Sequence, residues 1–384
     1  MSSTVKPMRP PATPRTRWER SPQASVRVAV VGLGYWGPNL VRNLHEAESA
    51  EVVAVCDARQ PAIDALRRRF PAVQGTTRLE DVLDDPEIDA VAIATPVSTH
   101  FKLAEAALRA SKHVFVEKPL AASAAEGRRL VRLASKLGLV LMPGHTFLYS
   151  PPVVAIRELI GSGELGEIYF ISTSRVNLGL HQADASVVWD LGPHDFSILQ
   201  YWLGETPTWV SATSRGCIVP ETPDVMFVNL EYPSRTIAHV ELSWLAPGKL
   251  RRTTIVGSRK MVVYDDTSNE PVRVFDSGVV PPDPETFGEY RLTYRTGDIV
   301  SPHVGAAEPL GLELQDFSQA IRTGVAPRSD AALGVEVVRI IEAVDRSLGL
   351  DGRRVRLGGL AARAPAAATA DEVARPRLSV AKPG

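Results

Sequence analysis

Residues 26–57 constrain this chain more than any other stretch. A β-branched run, Val26 to Val31, leads straight into Gly32-Leu33-Gly34-Tyr35-Trp36-Gly37, a helical pattern opens at Pro38-Asn39-Leu40, and a second β-branched run ends at Asp57, 20 residues after Gly37. The three glycines meet different physical demands. Gly32 makes the tight turn, Gly34 lets backbone approach a diphosphate, and Gly37 permits close helix-strand packing. An anion then rests on the helix N-terminus, where unpaired N–H groups and the dipole favour negative charge, and Asp57 is placed to accept from a ribose 2′-hydroxyl. A Gly-x-Gly-x-x-Gly alone is a weak signal. The strand before it, the helix after it and the acid at this spacing make it a dinucleotide-binding turn with NAD as cofactor. NADP is disfavoured because Asp57 repels a 2′-phosphate, although Arg59 stands nearby.

The same grammar continues. Apolar runs at 26–31, 51–56, 90–94, 113–116 and 139–142 read as strands, with helical patterns at 37–47, 60–69, 79–84, 99–111 and 123–137 between them. Such alternation predicts βαβ units and a doubly wound parallel sheet. After residue 150 it changes to a helix at 152–162, then successive strands at about 167–176, 208–217, 224–232, 235–244, 251–256 and 260–264, then helices at 311–323 and 331–348. Strands without helices between them predict a mainly antiparallel sheet. The expected fold class is therefore α/β: an N-terminal Rossmann sheet at 26–148 and a C-terminal α+β substrate-binding and oligomerisation domain at 149–357. Residues 1–25, with five prolines, and the Ala/Pro/Arg-rich residues 358–384 lack a periodic apolar pattern and are expected to be disordered tails.

Composition narrows the function classes. The formal net charge is −1, but residues 1–25 carry +4 and residues 358–384 carry +2, which leaves −7 on residues 26–357. An acidic body speaks against nucleic acid as a partner. Cys56 and Cys217 lie 161 positions apart with no Cys-x-x-Cys, so neither a disulfide framework nor a zinc site is encoded, and a metal is not expected. No apolar stretch is long enough for a membrane span and the N-terminal segment has no apolar signal core, so no membrane partner and a cytoplasmic location are expected.

Three segments carry polar groups to the predicted strand ends. Thr95, Pro96 and His100 follow one strand, Glu117 and Lys118 precede Pro119 after the next, and open α/β sheets place ligands at these carboxyl ends. In Trp189-Asp190-Leu191-Gly192-Pro193-His194-Asp195, a Gly-Pro break brings Asp190 and His194 to one helix start. A carboxylate beside an imidazole can hold its tautomer and stabilise the imidazolium, as a general base needs; a helix cap beside a buried structural histidine is the bland alternative. Arg175, Asn177 and His181, together with His145, are candidate substrate contacts. Tyr149, Tyr169 and Trp189 are aromatic surfaces on which a sugar could stack, whereas His45, His113, His239 and His303 have no companions and read as structural.

In combination, GLGYWGPNL at 32–40, ATPVSTH at 94–100, EKP at 117–119, the Asp-x-Gly-Pro-His-Asp block at 190–195 and Glu-Leu-Gln-Asp-Phe at 313–317 resemble the glucose-fructose oxidoreductase / inositol dehydrogenase (Gfo/Idh/MocA) family over residues 26–357. The resemblance implies that Gly32, Gly34, Tyr35, Trp36, Gly37, Asp57, Thr95, Pro96, His100, Glu117 and Lys118 line the NAD site. It further implies that Lys118, Asp190 and His194 surround the reacting carbinol, that the Lys118–Pro119 bond is cis, and that the open sheet forms a homodimer or homotetramer. Either His194, paired with Asp190, or Lys118 would be the base. The implied activity is hydride transfer between NAD and a ring secondary hydroxyl, C3 in the sugar-nucleotide members that GYWGPNL most resembles. Inositol or polyol dehydrogenation, reduction of a 3-keto sugar, NAD-assisted glycoside hydrolysis and a non-catalytic NAD-binding protein are the competing readings. Retention of Lys118, Asp190 and His194 together speaks against the last.

Overall fold

A computed structural model describes residues 24–179, 185–280 and 293–358 of the chain; the two terminal segments expected to be disordered lie almost wholly outside the described residues. The first part alternates as its sequence pattern predicts: β1 (Val26–Val31), α1 (Gly37–Glu46), β2 (Ala50–Cys56), α2 (Gln60–Arg67), β3 (Gln74–Thr76), α3 (Leu79–Leu83), β4 (Ala90–Ile93), α4 (Val97–Arg109), β5 (His113–Glu117), α5 (Ala124–Leu137) and β6 (Leu141–Gly144). The strands form one parallel sheet in the order β3-β2-β1-β4-β5-β6. Its connectivity reverses between β1 and β4, which opens a crevice at their carboxyl ends. β3 was not legible because its three residues are polar and pair only along the sheet edge, Ala54 opposite Gln74. β6 runs further than its apolar run suggests because Pro143 lies on the other edge, where its missing N–H removes no ladder bond.

The crevice is shaped by two glycines. Gly32 has φ +93°, and a Cβ there would meet the Ala94 carbonyl oxygen at 2.6 Å and Thr95 Cγ2 at 2.7 Å, so the turns after β1 and β4 touch. A Cβ on Gly37 would lie 2.0 Å from the Gly32 oxygen.

A short 3₁₀ turn (Thr146–Tyr149) and α6 (Pro151–Gly161) lead to β7 (Ile168–Leu178), α7 (Val187–Asp190), α8 (Gly192–Leu203), β8 (Trp209–Arg215), β9 (Val225–Glu231), β10 (Ile237–Ser243), β11 (Leu245–Gly257), β12 (Met261–Asp265), β13 (Val272–Val280), β14 (Thr293–Val300), α9 (Pro309–Thr323), α10 (Ala331–Leu348) and β15 (Val355–Arg356). The second sheet has the order β14-β13-β12-β11-β7-β10-β9-β8-β15 and is antiparallel except where β7 pairs with β10. It is wider than expected: β13, β14 and β15 lie beyond the strands read from sequence. β11 also starts earlier, passing Pro247 and Gly248 through a register shift between Leu245 and Leu250.

Helix α10 joins the two sheets. Ala331 and Val335 pack into the apolar cluster under β4 and β5, while Val337, Ile340, Ile341 and Val344 pack into the core that continues beneath the second sheet. Asp330 caps its start by accepting from Leu333 N–H at 2.8 Å. α10 also packs against α5, α8 and β8. No helix among the described residues is long and apolar enough to cross a membrane. Gly37→Ala, which must displace the Gly32 carbonyl, is expected to destabilise the protein by about 1–3 kcal/mol; an unchanged urea midpoint would remove close turn-on-helix packing as the role of this residue.

Candidate active site

The expected cofactor residues gather at the crevice. Gly34 has open space where a Cβ would be, and Tyr35 (82% exposed) and Trp36 stand outward at the start of α1 with their rings edge to face, 5.4 Å apart. Asp57 directly follows β2 and accepts from Leu33 N–H at 2.7 Å and from Arg59 N–H and Nε at 2.9 and 3.0 Å. Burial alone would raise the Asp57 pKa, but the bonds from Arg59 and Leu33 outweigh it and hold the carboxyl below its ordinary value, so an anion stands where a ribose 2′-hydroxyl would arrive. Thr95 Oγ1 lies 2.7 Å from Thr99 Oγ1, and Pro96 precedes the first turn of α4. The turn, the open space at Gly34 and the charged Asp57 fit the diphosphate and ribose of NAD.

His100 departs from its expected role. Its ring is 1% exposed, with Nδ1 2.8 Å from the Pro119 oxygen and Nε2 2.8 Å from the Thr95 oxygen, so it braces two turns and offers nothing to a cofactor. Glu117 is also enclosed, and burial raises its pKa to about 7, against the lowering pull of Lys118.

Lys118 follows at the end of β5, before a cis peptide bond to Pro119. Its Nζ donates to the Asp190 carbonyl oxygen at 2.7 Å and to Asp190 Oδ1 at 3.2 Å, across 72 positions of sequence. Trp244 Nε1 donates to the other carboxylate oxygen, Oδ2, at 3.2 Å. The expected Asp190–His194 pairing is therefore corrected. The Gly-Pro break brings both residues to one helix start, but the carboxylate is turned to Lys118 and Trp244, while buried His194 Nδ1 has no hydrogen-bond partner. The His194 ring instead lies edge to face on Phe147, 4.9 Å between centroids. Burial first, then the charges of Lys118 and Arg175, holds its pKa well below the usual histidine range, so it is neutral at physiological pH.

Arg175 is held in a buried ion pair. It is 5% exposed, and its Nε donates to Asp195 Oδ2 at 2.5 Å while Nη2 reaches Oδ1 at 3.4 Å. Its guanidinium lies 4.6 Å from the centre of the Phe147 ring. Thr173 adds a bond to Asp195 at 3.0 Å. The arginine anchors the residue after His194, while its buried Nη1 has no hydrogen-bond partner. His145 directly follows β6, with both ring nitrogens buried and unpartnered and its pKa lowered to about 3 by burial and then by Lys118. Asn177 is half-buried on β7, and His181 lies outside the described residues. No group of three or more His, Cys, Asp or Glu able to hold a metal occurs among the described residues.

Sequence reasoning overlooked Trp244, Phe147 and Arg251. Arg251 pairs with Asp266 at 2.9 Å and approaches the Phe147 ring at 5.2 Å, and it stands opposite Arg175 in the β7–β11 register. Nothing in their local sequence marks them. Asp195 and Glu313 were within recognised motifs without a role; Glu313 is buried, accepts from Thr146 Oγ1 at 2.6 Å, and has its pKa raised well above the ordinary value by burial.

Comparison with known proteins agrees with this geometry. Residues 26–145 match the model of the Gfo/Idh/MocA oxidoreductase family, NAD-binding Rossmann fold, and residues 153–263 match its C-terminal domain. The chain belongs to the Gfo/Idh/MocA family of NAD-binding oxidoreductases. Among its relatives is the scyllo-inositol 2-dehydrogenase (NAD(+)) of Bacillus subtilis (strain 168), 27% identical over 81% of this chain and 92% of the relative. Myo-inositol 2-dehydrogenase of Thermotoga maritima is 25% identical over 65% of this chain and 78% of its own length. The structure of GenD2 from gentamicin A biosynthesis, in complex with NAD, superposes with a TM-score of 0.73 at 25% identity, covering 87% of this chain and 97% of GenD2.

The buried charges have measurable consequences for stability. Arg175→Met leaves the Asp195 carboxylate buried without its partner and is expected to cost about 3–5 kcal/mol; adding Asp195→Asn should recover most of the loss in urea unfolding. An ordinary glutamate sheds its proton near 4.5, whereas Glu117 in the fold keeps it to about 7. Between these values the folded state binds more protons, so this residue makes stability fall as pH rises through that window and stay lower above it. Glu117→Gln should abolish that part of the slope; an identical pH dependence would refute it.

Proposed function

We propose that this family member transfers hydride between NAD and a ring secondary hydroxyl, C3, of a sugar, amino sugar or sugar nucleotide. The observation that carries the reading is the bond of Lys118 Nζ to Asp190 across 72 positions, with His194 near enough to feel the Lys118 charge. Gly32, Gly34, Gly37, Asp57 and the Thr95–Pro96 turn would hold NAD, which supplies the hydride acceptor when bound. Residues 26–148 serve this half of the work and residues 149–357 the substrate. His194, neutral in its buried setting, accepts the hydroxyl proton. Lys118 donates to the same oxygen and stabilises its developing negative charge, and Asp190 holds the ammonium in place with help from Trp244. His145 and Asn177 line the substrate side.

Inositol oxidation is the second reading, favoured by relatives whose names describe action on an inositol ring. A homodimer or homotetramer through the second sheet accompanies either reading. Phe170 and Ile237 stand opposite one another on β7 and β10, 44% and 52% exposed, and Tyr169 and Phe227 are exposed on the same sheet. Both cysteines are free thiols, Cys56 buried and Cys217 exposed, in keeping with a reducing cytoplasm.

A panel of sugars, UDP-sugars, inositols and aryl glycosides with NAD, followed by NADH absorbance and mass spectrometry, tests the function. A 3-keto product from a sugar or sugar nucleotide is expected, while a keto-inositol would select the second reading. Release of aryl alcohol without net NADH would replace both with glycoside hydrolysis. With the substrate found, His194→Asn and Lys118→Met should each lower kcat/KM by roughly 10²- to 10⁴-fold. Turnover unchanged in both would overturn the assignment of these residues.

A further inference from the structure

The His100 ring is enclosed in the first turn of α4, and both of its nitrogens meet acceptors: Nδ1 faces the Pro119 carbonyl and Nε2 the Thr95 carbonyl, each at 2.8 Å. Neither partner can donate. A neutral imidazole carries one N–H, so it satisfies one of these oxygens and turns a lone pair toward the other; two bonds require the imidazolium. The two carbonyls belong to the two turns that bracket the crevice. Thr95 packs on the Gly32 turn, where its Cγ2 lies 2.7 Å from the position of a Cβ on Gly32, and Pro119 directly follows Lys118.

We propose that His100 is a proton-linked tie, taking up a proton when NAD binds and, doubly protonated, fastening the Thr95 turn of the cofactor crevice to the Lys118–Pro119 turn. The inference rests on NAD binding alone and is independent of the substrate. Without cofactor, burial and the charge of Lys118 push the His100 pKa below the ordinary range, against the pull of the two carbonyls. Charged groups on the surrounding elements include Glu117 and Lys118 at the end of β5, Lys102, Glu105 and Arg109 on its own helix, and Arg129 of α5, which pairs with Glu105 and whose guanidinium lies 4.7 Å from the Phe101 ring centre. Among them Lys118 acts on the ring, and Asp190 partly answers its charge. A diphosphate seated on the Gly32–Gly37 turn brings negative charge to the Thr95 side and tips the balance toward the second proton. His100 is thus a positioning residue: it touches neither cofactor nor substrate, and it lets NAD affinity rise as pH falls.

Calorimetric titration of the full chain with NAD, in two buffers of different ionisation enthalpy at pH 6.5 and 7.5, reads the proton directly. Wild type is expected to take up a fraction of a proton per NAD. His100→Asn should take up measurably less, losing the share of His100 and keeping any share of Glu117, and bind NAD roughly three- to tenfold more weakly at pH 6.5, the worth of one hydrogen bond, with the difference shrinking at higher pH. Nitrogen-15 NMR of wild type at pH 6.5 should show both His100 ring nitrogens protonated with NAD and a neutral tautomer without it, and this decides the matter even where the variant does not fold. A neutral ring in the NAD complex, or proton uptake undiminished in a folded His100→Asn protein, would overturn the proposal. A weakened affinity that does not change with pH would reduce His100 to a packing residue.

Discussion

Lys118 bridges the two sheets, and the polar architecture of the crevice is arranged around that bridge. Its ammonium, at the end of β5, is held by both the carbonyl and the carboxylate of Asp190 on α7, and Trp244 from the junction of β10 and β11 secures the far carboxylate oxygen. The pair is only partly exposed, so its attraction is less screened than at a surface, and each partner would be costly to leave alone in so enclosed a place. The register between the cofactor turn and the helix bearing His194 follows from this contact together with the packing of α10 into both cores.

Charge around the crevice is balanced pair by pair. Lys118 meets Asp190, Arg175 meets Asp195 and Arg251 meets Asp266. The imidazoles among these cations, His145 and His194, are kept uncharged by burial and by their positive neighbours. Phe147 fills the space between them, taking two guanidinium groups and the edge of His194 against one ring. The arrangement places uncharged imidazoles within a framework of fixed charges and buries them away from water.

The first sheet was largely legible in the chain because buried parallel strands are nearly continuous apolar runs: β1 is Val-Arg-Val-Ala-Val-Val, apolar but for Arg27, and the glycine turn after it carries its own geometric demand. The second sheet was less so. β13 and β14 read weakly because little of them is buried, Val272 and Val274 of β13 reaching the core while the described side chains of β14 are exposed or half-buried, and β15 has two residues that acquire strand character only by pairing with β8. The candidate site was legible as a set of motifs but not as contacts. Asp190 and His194, four apart beside a Gly-Pro break, looked like a pair; Lys118, 72 positions earlier, takes the carboxylate instead. Arg175 looked like a free cation because Asp195, its partner, sits on another element.

The sequence by itself determined the alternation that builds a parallel sheet, the glycine turn with Asp57 after it, and the identity of the polar residues at the strand ends, because these depend on backbone sterics and on periodicity within a few residues. Only the tertiary structure decided which carboxylate answers which cation, that His100 braces two carbonyls, and that His145 and His194 are neutral. Those outcomes depend on distance, desolvation and competition among groups remote in the chain, and no local pattern carries that information.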